Sequence, residues 1–108
     1  MVKQGDIIKV NMSPAAGHEQ SGFRPAVVVS NDFAISKTNV VYVAPVTKTV
    51  RKFPLHVTLD SRTETTGEIL CEQVKAVDLG VREYKIIEQL PKDILEKALN
   101  CIISCFDT

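Results

Sequence analysis

The chain lacks an excess of charge of either sign: Lys and Arg number 13, and so do Asp and Glu. Net charge therefore names no partner, and any nucleic-acid surface must come from local arrangement. Cysteines number three and histidines two, with no CxxC pair and with the histidines isolated. A zinc site is not expected, no other cofactor is called for, and reduced thiols are the simpler reading. No apolar run approaches about 18 residues, so no membrane span is expected. The N-terminus Met1-Val2-Lys3-Gln4-Gly5-Asp6 lacks the core of a signal peptide. The expectation is a cytoplasmic protein that is not exported. Repeats, low-complexity tracts and linkers are also missing, which predicts one domain over residues 1–108.

What is present has a mainly β rhythm. Asp6 to Met12 alternates, with Ile8, Val10 and Met12 on one face and Lys9 and Asn11 on the other. Ala26 to Val29 is continuously apolar, which predicts a strand covered on both faces, with Pro25 at its first position. Ser30-Asn31-Asp32 breaks it. Asn39 to Val46 is rich in β-branched residues, ends near Pro45 and leaves Thr47 just past the terminus. Further strands are expected at Leu55–Leu59, Glu68–Cys71 and Val74–Leu79, and near Tyr84, Ile86 and Ile87. On Leu55–Leu59, His56 is read as facing solvent.

One helix is expected over Pro91–Phe106, with proline in its first turn. Ile94, Leu95, Ala98, Leu99, Ile102, Ile103 and Phe106 form its apolar stripe, and Asp93 can pair with Lys97. Strands this short lose their edges most economically by closing into a small barrel.

Two polar stretches interrupt this pattern. Gly17-His18-Glu19-Gln20-Ser21-Gly22-Phe23-Arg24-Pro25 packs polar residues between two glycines and runs straight into an apolar strand. It belongs to a loop of a length that often carries function. Lys48-Thr49-Val50-Arg51-Lys52 is the densest basic cluster and sits at a turn.

At these residues the chain resembles the MazF/PemK (Kid) toxins of bacterial toxin–antitoxin systems. The resemblance begins at Gly5-Asp6-Ile7 and is most specific in the Gly17–Pro25 block. It continues through Ala44-Pro45-Val46-Thr47, Thr65-Thr66-Gly67 and Cys71-Glu72-Gln73-Val74-Lys75-Ala76-Val77-Asp78. It implies a small SH3-like β-barrel with a C-terminal helix, forming a two-fold homodimer. It also implies a sequence-specific endoribonuclease of single-stranded mRNA that needs no metal, and an antitoxin whose disordered tail occludes the RNA site.

Cleavage without a metal can use the neighbouring 2′-OH as nucleophile, leaving a 2′,3′-cyclic phosphate and a 5′-OH. It needs a proton acceptor, charge stabilisation at phosphorus and a donor to the leaving oxygen. Arg24 matches the family's catalytic arginine, and its fork can grip two phosphoryl oxygens. Arginine is a poor base, so its role is charge stabilisation. Thr47 matches the second catalytic position as a hydrogen-bond donor. His18 and Glu72 are further proton-transfer candidates. Some members carry an arginine where this chain has Leu70, which puts more weight on Arg24. His18, Glu19, Gln20, Glu72 and Gln73 suit base edges, and Lys48, Arg51 and Lys52 suit backbone phosphates. The alternatives are a CcdB-like toxin that poisons gyrase without enzymatic activity and a plain RNA-binding module.

Overall fold

The computed structural model describes residues 1–12 and 22–108. Among these, seven strands and two helices follow one another: β1 (Asp6–Asn11), β2 (Phe23–Val28), α1 (Asp32–Lys37), β3 (Val40–Thr47), β4 (His56–Thr58), β5 (Glu68–Leu70), β6 (Lys75–Asp78), β7 (Tyr84–Gln89) and α2 (Lys92–Ser104). A 3₁₀ turn, Cys71–Gln73, joins β5 to β6. Every pairing is antiparallel, in the order β4-β5-β3-β2-β1-β7, with β6 attached to β3.

Alternation along the strands divides the core in two. Ile7, Val27, Ala44, Val46 and Ile69 point to one face, where Ile94 and Ala98 of α2 cover them. Ile8, Val10, Ala26, Val28, Val41 and Val43 point to the other, with Ile35 of α1 and Val77 of β6. The apolar run of β2 is covered on both faces, as its composition predicts. Met12 packs with Ile8 and Val10, and Lys9 is exposed.

Several boundaries differ from the sequence pattern. β2 begins at Phe23, so Pro25 is its third residue. β3 pairs only from Ala26 onward, and Pro25 lies at the margin of that ladder, where a missing N–H does little harm. Thr47 is the last residue of β3, because β5 pairs with Val46 and Thr47 and extends the strand past Pro45. The Ser30–Asp32 break opens a helix. The Asn31 side chain caps it by accepting from Ala34 N at 2.8 Å. Six residues are too few to show a helical period in sequence.

On α2, Leu95, Leu99 and Ile102 pack against the first core as expected, but Ile103 and Phe106 are exposed. Pro91 is the N-cap. Asp93 pairs with Arg62 (2.9 Å to each carboxylate oxygen), since a two-pronged guanidinium contact outcompetes a lysine one turn away. Among the described residues no helix is long and apolar enough to cross a membrane.

Candidate functional site

The site arises where β3 changes partner. Val40–Val43 pair with β6, and Val46 and Thr47 pair with β5. Pro45 stands between the two ladders with no N–H to offer, and the 3₁₀ turn bridges the gap. A groove of about 860 Å³ opens there, lined by Arg24, Pro45, Thr47, Lys48, Gln73 and Lys75 among others. A second groove, of about 510 Å³, adjoins it and carries Arg51, Phe53, His56 and Glu72. Thr47, Thr49, Leu70 and Gln73 line both.

Strand geometry explains how Arg24 and Thr47 meet. Arg24, Ala26 and Val28 share one face of β2, and Val43, Pro45 and Thr47 share the same face of β3. Ala26, Val28 and Val43 fill the second core; Arg24 and Thr47 lie beyond its edge. The register sets Ala26 against Pro45. Continued two residues past the paired segment, that register would bring Arg24 abreast of Thr47, and both line the larger groove. Arg24 is exposed and takes part in none of the ion pairs among the described residues. Thr47 Oγ1 accepts from Thr49 N at 3.2 Å, which leaves its O–H free to donate into the groove.

A buried carboxylate fixes the basic turn. Glu68 is fully buried and accepts from Arg51 N and Lys52 N at 2.9 Å each, from His56 Nδ1 at 3.0 Å and from Thr58 Oγ1 at 3.4 Å. The Arg51 N–H is the largest influence holding its pKa below the ordinary carboxylate value; burial opposes this, and His56 and the Lys52 N–H reinforce it. Lys48, Arg51 and Lys52 are exposed on this turn, and Lys52 adopts φ +53°. Lys48 lines the larger groove and Arg51 the smaller, while Lys52 stands outside both linings.

His56 does not face solvent. Its side chain is 7% exposed and lies between two carboxylates, Glu68 Oε1 on Nδ1 and Glu72 Oε2 on Nε2, each at 3.0 Å. The edge of Phe53 packs on the ring at 5.1 Å between centroids. Alternation correctly sets His56 opposite Val57, but its face of β4 is roofed by the 3₁₀ turn and Phe53. Burial works against a charged ring. The hydrogen bonds and charges of Glu72 and Glu68 outweigh it, so the imidazole pKa is raised. When the ring is protonated, each nitrogen donates to one of the two carboxylates.

Of the residues singled out in sequence, Arg24, Thr47, Lys48 and Gln73 share the larger groove. Arg51 and Glu72 join Thr47 and Gln73 in the smaller one. His18, Glu19 and Gln20 lie outside the described residues. Lys75 and Arg82 also line the larger groove. Sequence reading missed them, and it missed Glu68, whose one signal was a carboxylate inside an otherwise apolar strand. Cys71 is buried, and burial pushes its thiol up to about 12. Among the described residues no cluster of His, Cys, Asp and Glu could hold a metal ion.

Fold and groove together define a small antiparallel β protein with a cationic cleft suited to a phosphate backbone. The chain belongs to the PemK-like, MazF-like toxins of type II toxin–antitoxin systems: that family's model matches residues 3–106. It is 33% identical to the endoribonuclease PemK of Escherichia coli, over 91% of this chain and 77% of that protein. It is 31% identical to the endoribonuclease EndoA of Bacillus subtilis, over 99% and 98%. Among solved structures it matches a MazE–MazF crystal structure from Deinococcus radiodurans with a TM-score of 0.86 at 28% identity, covering 97% of this chain and 95% of that one. The fold is the SH3-like barrel type of those toxins, with its C-terminal helix.

Proposed function

We propose that this chain is a toxin endoribonuclease that cleaves single-stranded mRNA at specific sequences without a metal. The observation that carries the reading is the convergence of Arg24 and Thr47, from two different strands, on one groove flanked by Lys48 and Gln73. The relatives named above are endoribonucleases, which supports the ribonuclease branch over a gyrase-poisoning toxin.

In this mechanism the RNA backbone lies along the groove. The 2′-OH attacks the adjacent phosphorus, and the bond to the 5′ oxygen breaks, leaving a 2′,3′-cyclic phosphate and a 5′-OH. Arg24 grips the phosphoryl oxygens as charge builds on them. The Thr47 hydroxyl donates to a phosphoryl oxygen or to the leaving group. Glu72, on the wall that Thr47 also lines, is the carboxylate within the described residues suited to accept the 2′ proton. Lys48, Arg51 and Lys52 hold neighbouring phosphates, and Gln73, with His18, Glu19 and Gln20 of the preceding loop, reads base edges.

Family membership supports the partners proposed here. MazF of Deinococcus radiodurans is solved together with MazE, and an antitoxin of that kind would cover this groove with a disordered tail. The toxin acts as a homodimer in the cytoplasm, where its mRNA is found.

The test is incubation of purified protein with a long RNA, and with DNA of the same sequence, in excess EDTA, followed by sequencing of the fragment 5′ ends. RNA cut at a recurring motif with 5′-OH ends, and DNA left whole, is expected. Intact RNA, or inhibition of gyrase supercoiling in its place, would refute the reading.

A further inference from the structure

No role above uses His56, yet it is among the most constrained polar side chains near the groove. Nδ1 contacts the buried Glu68 and Nε2 contacts Glu72. Glu68 is itself tied to the backbone at Arg51 and Lys52. A line of hydrogen bonds therefore runs from the sheet interior, through the ring, to the groove wall. Glu72 keeps 29% of its side chain exposed, and its second oxygen, Oε1, has no donor among the described residues. The other charged or titratable groups beside this assembly are Arg51 on the same groove and the buried Cys71 thiol, which feels the Glu72 charge; beyond Cys71 lie Cys101 and Cys105 of the α2 end.

We infer that His56 is a positioning residue for RNA cleavage: it holds one oxygen of Glu72 and so turns the other toward the groove lined by Thr47, with Glu68 as its anchor. The inference rests on the ribonuclease reading. Glu72 sits on a short 3₁₀ turn, and an untethered glutamate there would sample several rotamers, few of them aimed at the substrate. A ring clamped on both sides limits that freedom before RNA arrives. The clamp needs two N–H groups, so it lasts only while the imidazole is doubly protonated.

The experiment measures kcat and KM on an RNA oligonucleotide containing a mapped cleavage site, from about pH 5 to pH 9, for wild type, His56→Gln and Glu68→Gln. Expected are a kcat lower by tenfold or more in His56→Gln with KM little changed, and a wild-type alkaline decline in kcat that this variant lacks. Glu68→Gln should move that decline to lower pH. A parallel ¹⁵N NMR spectrum of the wild-type ring should show two N–H groups at neutral pH. This reading survives even if a variant fails to fold. Active His56→Gln with unchanged kcat and pH profile would overturn the inference and leave the ribonuclease reading standing. A neutral ring with one N–H would overturn it regardless of activity. Wild-type protein that leaves RNA whole at every pH would overturn the ribonuclease reading, and the inference with it.

Discussion

Gly67 and Thr47 touch through their backbones: a Cβ built on Gly67 would run into the Thr47 carbonyl oxygen. Gly67 also has φ +113°, a conformation that side chains resist. Both facts serve the same end. They let β5 close on the last residue of β3, which fixes Thr47 at the groove. Gly67→Ala is therefore expected to destabilise the fold by about 3 kcal/mol, combining overpacking with backbone strain. Urea unfolding checks this; a loss of under about 0.5 kcal/mol would mean the two strands have room to part.

The Thr47 hydroxyl has two assignments, accepting from Thr49 N and donating into the groove. Thr47→Ser preserves both, and its cleavage rate should stay within a few-fold of wild type. Thr47→Val keeps the shape and removes the oxygen. Its rate should fall about 10- to 100-fold, the scale of one lost transition-state donor. Equal rates for the two variants would remove Thr47 from the mechanism.

How far the sequence could be read becomes clear from these residues. Strands were visible in alternation, as in Ile8, Val10 and Met12 against Lys9, and the two-sided cover of β2 in the unbroken apolar run Ala26–Val29. Arg24 and Thr47 were visible through a family resemblance in short motifs, and their meeting follows from strand register. His56 was misread because alternation reports which face a residue occupies and not what covers that face. The cover here is a 3₁₀ turn and Phe53, both distant in function from any local pattern. Glu68 was passed over because a carboxylate in a strand is legible as buried only when its donors are known, and two of them are backbone N–H groups of another loop. Helix α1 escaped because one capped turn carries no period.

The His56–Glu68 pair sets a pH signature for stability. A raised His56 pKa means that its contribution is complete below the ordinary value of about 6.5 and is lost as pH rises through the folded value. A lowered Glu68 pKa means that its contribution is present above about 4.5 and is lost as pH falls through its folded value. Both operate together between about pH 4.5 and pH 6.5. The thermal midpoint of wild type should therefore decline above that window relative to its value inside it. His56→Gln should show a flatter alkaline limb. Parallel curves for the two proteins would contradict the pairing.

Salt dependence tests the basic turn. Lys48, Arg51 and Lys52 are exposed, and Glu68 pins the backbone at Arg51 and Lys52, so the turn presents charge with little reorganisation. Each change to alanine at Lys48 or Arg51 should weaken RNA binding and make the slope of log affinity against log salt shallower by about 0.7, the value for one phosphate contact on a single strand. Filter binding with a non-cleavable RNA measures this. An unchanged slope would assign those side chains to solvent.

The most direct test of the central claim is the single-turnover cleavage rate of Arg24 variants on a mapped RNA site in excess EDTA. Arg24 is exposed and lies outside both cores, so Arg24→Ala should fold with an unchanged thermal midpoint. Its rate should fall by at least about 100-fold, and Arg24→Lys should lie between alanine and wild type, because a point charge replaces a two-pronged grip. Wild-type cleavage by Arg24→Ala would contradict a mechanism in which Arg24 carries the charge at phosphorus.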